Sequence, residues 1–157
     1  MSPAERAAII KGLVILVADG KLHSRTLLRS MLLQLGAKSI YEVADGAALL
    51  DAIRTIRPDA VIVDWDVPVV DAREVLSVMR APGAFSNPNI PIIVISSSSQ
   101  GDYVREAISL GAKQFLVRPI SLKILEERLL GVVTVARKAL HAVQQNMETL
   151  QQVEVID

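Results

Sequence analysis

Four polar residues mark the ends of short apolar runs. Asp19 follows Leu13-Val14-Ile15-Leu16-Val17-Ala18, Asp64 follows Ala60-Val61-Ile62-Val63, Ser96 follows Ile92-Ile93-Val94-Ile95, and Arg118 follows Gln114-Phe115-Leu116-Val117. Two carboxylates brought face to face repel unless a cation or a proton lies between them. A hydroxyl and a guanidinium beside them suit a bound phosphate, one by hydrogen bonding and the other by charge pairing. If the four run ends share one rim, the set reads as a divalent-cation and phosphoryl site. Each residue alone is weak evidence, because loops often carry solvated Asp, Ser and Arg; their recurrence at strand ends is the sharper signal. Other chemistries are closed. The chain has no cysteine, which excludes disulfides, thiol catalysis and thiolate metal sites. Its two histidines, His23 and His141, are far apart in sequence, which argues against a multi-histidine metal site.

The elements that must position these residues follow from apolar periodicity. The runs above are short and continuous, as in strands buried on both faces, and Ser39 to Ala44 is a further strand candidate. Between them lie helical stripes. Leu28, Met31, Leu32 and Leu35 precede Gly36; Leu49, Ala52, Ile53 and Ile56 precede Pro58; Val75, Val78 and Met79 follow Asp71; and a stretch from Asp102 to Leu110 precedes Gly111. Ser121 is a helix-cap candidate after Arg118-Pro119. Five strand–helix units of this kind imply an α/β fold with a parallel sheet and helices on both faces. In such sheets ligands bind beyond the strand C-termini, where strand order reverses, which gives the four residues their shared rim.

The last helix is too long for the sheet. From Ser121 to about Gln151 it would extend about 45 Å. Val133, Ala136, Leu140, Val143, Met147 and Leu150 alternate spacings of three and four, a heptad seam with polar Gln144, Gln145, Asn146, Glu148 and Gln151 around it. The seam predicts a homodimer through this helix.

The 157 residues are 51% hydrophobic and 22% charged, with 17 basic and 17 acidic side chains, which suits one folded domain with an appendage. Neutral balance argues against nucleic acid or a membrane surface as a partner. No apolar run reaches the length of a membrane span, and the N-terminus lacks the pattern of a secretory signal, so a cytoplasmic location is expected. His23 reads as a solvated helix-start residue, Arg25 and Arg29 as a solvated helix face, His141 as exposed, and Ser96 to Ser99 as a flexible loop with one functional member.

From Lys11 to about Leu130 the chain resembles the receiver domain of two-component response regulators, of the chemotaxis (CheY-like) kind. The resemblance rests on Leu16-Val17-Ala18-Asp19, on Ala44-Asp45-Gly46-Ala47-Ala48-Leu49, on Pro58-Asp59-Ala60-Val61-Ile62-Val63-Asp64-Trp65-Asp66-Val67-Pro68, on Ile90-Pro91-Ile92-Ile93-Val94-Ile95-Ser96-Ser97, and on Gly111-Ala112-Lys113-Gln114-Phe115-Leu116-Val117-Arg118-Pro119. It implies a flavodoxin-like (βα)5 doubly wound sheet in the order 2-1-3-4-5. The expected division is an N-terminal segment over 1–10, a receiver domain over 11–130, and a helical extension and tail over 131–157. Residues after 130 are too few for a DNA-binding or catalytic domain, so a single receiver that is not an enzyme is expected.

By the same resemblance Asp64 is the phosphoacceptor, with Asp19 the first of the paired acids, Ser96 the switch hydroxyl, Phe115 the aromatic switch and Arg118 in the place of a lysine. The implied cofactor is Mg2+, held by Asp19, Asp64 and the backbone carbonyl of Asp66. The partners implied are a sensor histidine kinase or phosphotransfer protein and a downstream protein. Trp65 is a reporter candidate whose plainer role is loop packing, and Pro68 and Pro119 shape the adjoining loops. Three positions depart from the pattern. Gly20 replaces the second acid, which weakens the metal site; Arg118 is bulkier than lysine and directed differently; and Ala72 replaces a glycine. Gly20 and Arg118 support an alternative, a degenerate receiver acting as a phosphorylation-independent dimeric scaffold. A flavin carrier of the same topology lacks support, because Asp19-Gly20-Lys21-Leu22-His23 is not a Ser/Thr/Gly-rich phosphate cradle.

Overall fold

Runs rich in Val and Ile form the strands β1 (Val14–Ala18), β3 (Ala60–Asp64) and β4 (Ile92–Ser96), with β2 (Ser39–Val43) and β5 (Gln114–Val117) completing the set. The computed structural model describes residues 1–98 and 100–156; Ser99, the last member of the serine run, and Asp157 lie outside the described residues. The strands make one parallel sheet in the order β2-β1-β3-β4-β5. Burial explains their composition. The inner strands β1, β3 and β4 are buried on both faces almost throughout, whereas the edge strands carry exposed positions such as Tyr41 and Val117.

Helices α1 (Pro3–Lys11), α2 (Leu22–Gln34), α3 (Gly46–Ile56), α4 (Ala72–Arg80), α5 (Gly101–Ser109) and α6 (Leu122–Ile156) complete the chain. Two cores result. On one face Leu28 and Leu32 of α2 and Leu125, Leu129 and Val133 of α6 pack against Ile15, Val17, Ile62 and Ile93, with Ile10 of α1. On the other, Leu49 and Ile53 of α3, Leu76 and Met79 of α4 and Ala107 of α5 pack against Leu16, Val61, Val63, Ile92 and Val94.

Local chemistry sets the boundaries. Asp45 and Asp71 cap α3 and α4, their carboxylates accepting from the Ala48 and Glu74 amides at 2.7 and 3.0 Å. Ser121 caps α6 by accepting from the Ile124 amide at 3.1 Å. Gly36 and Gly111 follow α2 and α5 in left-handed conformations with φ of +107° and +106°. The segment 1–10 proves to be mostly helical. Ser2 and Glu5 form a reciprocal capping box at the start of α1, and Pro3 stands in its first turn. Only Ile10 of this helix is buried, so no apolar stripe announces it.

Helix α6 runs 35 residues, about 52 Å. Its burial ends at Val133; Val135, Leu140, Val143, Met147 and Leu150 are exposed. No helix among the described residues is long and apolar enough to cross a membrane.

Candidate functional site

The parallel sheet brings the strand ends to one rim. Asp19 follows β1, Asp64 ends the adjacent β3, Ser96 ends β4, and Arg118 follows β5. The reversal of strand order falls between β1 and β3, so the two carboxylates flank the switch point. Arg118 joins them. Its Nη1 donates to Asp64 Oδ2 at 2.6 Å and its Nη2 to Asp19 Oδ2 at 3.0 Å. The other oxygens are held by backbone: the Lys21 amide donates to Asp19 Oδ1 at 2.8 Å and the Asp66 amide to Asp64 Oδ1 at 2.7 Å. Each carboxylate therefore has one oxygen fixed by its own loop and one fixed by the guanidinium.

The two acids differ in burial. The Asp19 side chain is 5% exposed and that of Asp64 is 11% exposed, which makes Asp64 the more accessible to an incoming group. Burial raises the Asp19 pKa above the usual carboxylate value and the Asp64 charge adds to this, while the Lys21 amide and the Arg118 guanidinium act in the opposite direction.

Ser96 is fully buried, and its hydroxyl oxygen accepts from the Ser98 amide at 3.1 Å. Its backbone carbonyl accepts from the Arg118 amide at 2.9 Å, so β4 positions both Ser96 and the root of Arg118. Asp66 is exposed and meets the site through its amide. Trp65 is buried, with the Phe115 ring 6.0 Å away edge-on and the Tyr103 ring at 5.6 Å. Arg73 lies 4.5 Å above the Trp65 ring and pairs with Glu106 at 2.6 Å, an ion pair that raises the arginine's pKa.

Several features were not read from the sequence. Arg25 is not a solvated arginine. Its side chain is 16% exposed and its Nη1 donates to the Asp19 carbonyl at 2.7 Å, so it braces the first loop of the site. Arg29 is half-exposed and reaches the Ile40 carbonyl and Glu42. The positions of both in the first turns of α2, just after Asp19, were the available signal. Gly20 is exposed, yet it faces the Pro68 ring: a Cβ there would lie 2.8 Å from Pro68 Cδ. His23 and His141 are exposed, as expected.

This donor set does not accommodate magnesium as it stands. The ion takes near-octahedral oxygen ligands, and here a guanidinium already lies between the two carboxylates. Among the described residues no three His, Asp or Glu side chains are grouped to hold a metal.

Residues 15–130 match the response regulator receiver domain. The chain belongs to this family. This receiver is 24% identical over 115 residues to a chemotaxis protein CheY from Pseudomonas aeruginosa, covering 73% of this chain and 91% of that one. It is 25% identical over 123 residues to CheY-3 of Vibrio cholerae, covering 78% and 93%. Among solved structures it is similar to the receiver domain of a Pseudomonas aeruginosa sensor histidine kinase, with TM-score 0.69, 28% identity, and 78% and 98% of the two chains covered. That structure has a magnesium ion coordinated in its active-site cleft. A Francisella response regulator receiver domain shares the fold at TM-score 0.71 and 23% identity, over 80% and 99% of the chains.

Proposed function

We propose that this receiver accepts a phosphoryl group on Asp64, as a response regulator of a two-component phosphorelay in the cytoplasm, and signals through protein–protein contacts. The observation that carries this reading is the setting of Asp64: a strand-end carboxylate, more open than its neighbour Asp19, with Arg118 bonded to one of its oxygens at 2.6 Å. One Asp64 oxygen attacks the donor phosphorus, the bond from phosphorus to the donor's nitrogen or oxygen breaks, and the donor leaves with that electron pair. Arg118 then turns from the carboxylate toward the phosphoryl oxygens, since the same planar fork binds either anion. Ser96 and Phe115 carry the change from the rim, in keeping with their positions at the end of β4 and against Trp65. A sensor histidine kinase or phosphotransfer protein supplies the phosphoryl group. Magnesium sits in the cleft of a related receiver; in this chain Gly20 supplies no ligand for it and Arg118 occupies the oxygens that would receive it.

The apolar seam of α6 supports a homodimer, with Leu140, Val143, Met147 and Leu150 exposed on the single chain. A second reading, a phosphorylation-independent dimeric module, draws on the Arg118 bridge, which satisfies both carboxylates without any added group. Intact mass after incubation with acetyl phosphate and magnesium separates the two. The expected result is one phosphate on the wild type and none on Asp64→Ala. No adduct from either acetyl phosphate or phosphoramidate, with an ordinary receiver modified in parallel, favours the scaffold.

A further inference from the structure

We propose that Arg118 is the resident cation of this receiver: its guanidinium takes the place of a divalent ion between Asp19 and Asp64, and magnesium enters only by displacing it. The proposal deepens the receiver reading, on which it rests for the identity of the competing ion.

The geometry of the two acids carries it. Arg118 puts one terminal nitrogen on each carboxylate, at 2.6 and 3.0 Å, and the remaining oxygens accept from the Lys21 and Asp66 amides at 2.8 and 2.7 Å. No carboxylate oxygen is left without a partner. A planar fork can span two acids in this way, whereas the compact ammonium of a lysine cannot hold both in one fixed plane. Charge leads to the same conclusion. Two like carboxylates at a buried rim need a positive group between them, and Arg118 supplies it permanently.

The surroundings reinforce the substitution. Arg25 donates to the Asp19 carbonyl at 2.7 Å, adding a second guanidinium on the Asp19 side, while the Lys21 charge also acts on Asp19. An approaching dication meets the Lys21 charge as well as Arg118, the Arg25 charge being offset by Glu42 at 3.8 Å. The second of the paired acids is blocked at its expected position, because a Cβ on Gly20 would lie 2.8 Å from Pro68 Cδ and 3.0 Å from Cγ. The lost ligand and the arginine thus form one arrangement. An acid at position 20 would have to push Pro68 aside, and without that acid the guanidinium faces a weaker competitor.

The test is calorimetric titration of the full chain with magnesium chloride and no phosphodonor, on wild type, Arg118→Met and Arg118→Lys. The Met variant keeps an apolar stem and removes the cation. It should bind magnesium at least about tenfold tighter than wild type, within the usual span of one interaction competing with another. Magnesium should also raise the Tm of Arg118→Met and leave that of the wild type unmoved. If Arg118→Met does not fold, Arg118→Lys decides by the same tenfold criterion. Equal affinity in wild type and the deciding variant overturns the proposal. Because no phosphoryl transfer is involved, this outcome is distinct from a failure of Asp64 to accept phosphate.

Discussion

Gly20 shows how a single missing side chain fixes what the rim can become. The Pro68 ring stands against the glycine, and a proline ring cannot rotate away as a flexible side chain can. Gly20→Ala should therefore destabilise the fold by about 1–3 kcal/mol, the usual cost of overpacking, read as a lower urea midpoint at unchanged slope. Pro68→Ala in the same chain should restore part of the loss, because the two positions touch and their effects are not additive. If Gly20→Ala is neutral, the loop carrying Pro68 yields freely and the second acid is absent for another reason. The expectation extends to Gly20→Asp, which should pay the same steric penalty in stability and still leave Arg118 on both carboxylates.

At the scale of elements, the loop after β3 is held between α4 and α5. Arg73 of α4 lies over the Trp65 ring and pairs with Glu106 of α5, while Tyr103 of α5 closes on the same ring. This arrangement joins the residue next to Asp64 to two helices on one face of the sheet. Arg73→Ala should uncover the ring, giving a red-shifted tryptophan emission and faster acrylamide quenching. Trp65 is the chain's only tryptophan, so the signal has one source. Unchanged emission would mean that the surrounding apolar side chains bury the ring without the arginine. These contacts also mark the limit of what the sequence made legible. The inner strands were readable because burial on both faces leaves uninterrupted apolar runs, and the rim residues because each stands at the end of such a run. Helix α1 was not readable, since a helix that buries only Ile10 has no stripe. Nor was the Arg118 bridge, which joins residues 54 and 99 positions apart and depends on side-chain direction rather than spacing. Arg25 was misread for a related reason: its partner is a backbone carbonyl, which has no residue type to recognise.

On the scale of the whole molecule, the receiver fold and the distal part of α6 answer to different energetics. Burial along the helix stops at Val133, so the segment beyond it gains nothing from the sheet, and an isolated helix of that length is marginal in water. A second copy can supply the missing burial. Leu140, Val143, Met147 and Leu150 continue the seam begun by Val133 and Ala136, giving about two heptads free of the body. So short a seam predicts a reversible dimer at micromolar concentrations rather than a permanent one. Its flanking positions are Arg137, Ala139, Gln144, Asn146 and Gln151, with a single charge among them. Association should therefore rest on apolar burial and change little with salt, unlike a zipper specified by charge pairs. Light scattering on the full chain should show a mass that rises with concentration, to a similar extent in low and high salt. A chain ending at Thr134 should remain folded, because it retains every buried residue of α6, and should stay monomeric throughout. Leu140→Glu in the full chain should do the same, since it places a charge in the seam without touching the body. If the shortened chain still dimerises, the contact lies on the receiver body. If the full chain is monomeric at the highest concentrations, the seam belongs to a different protein.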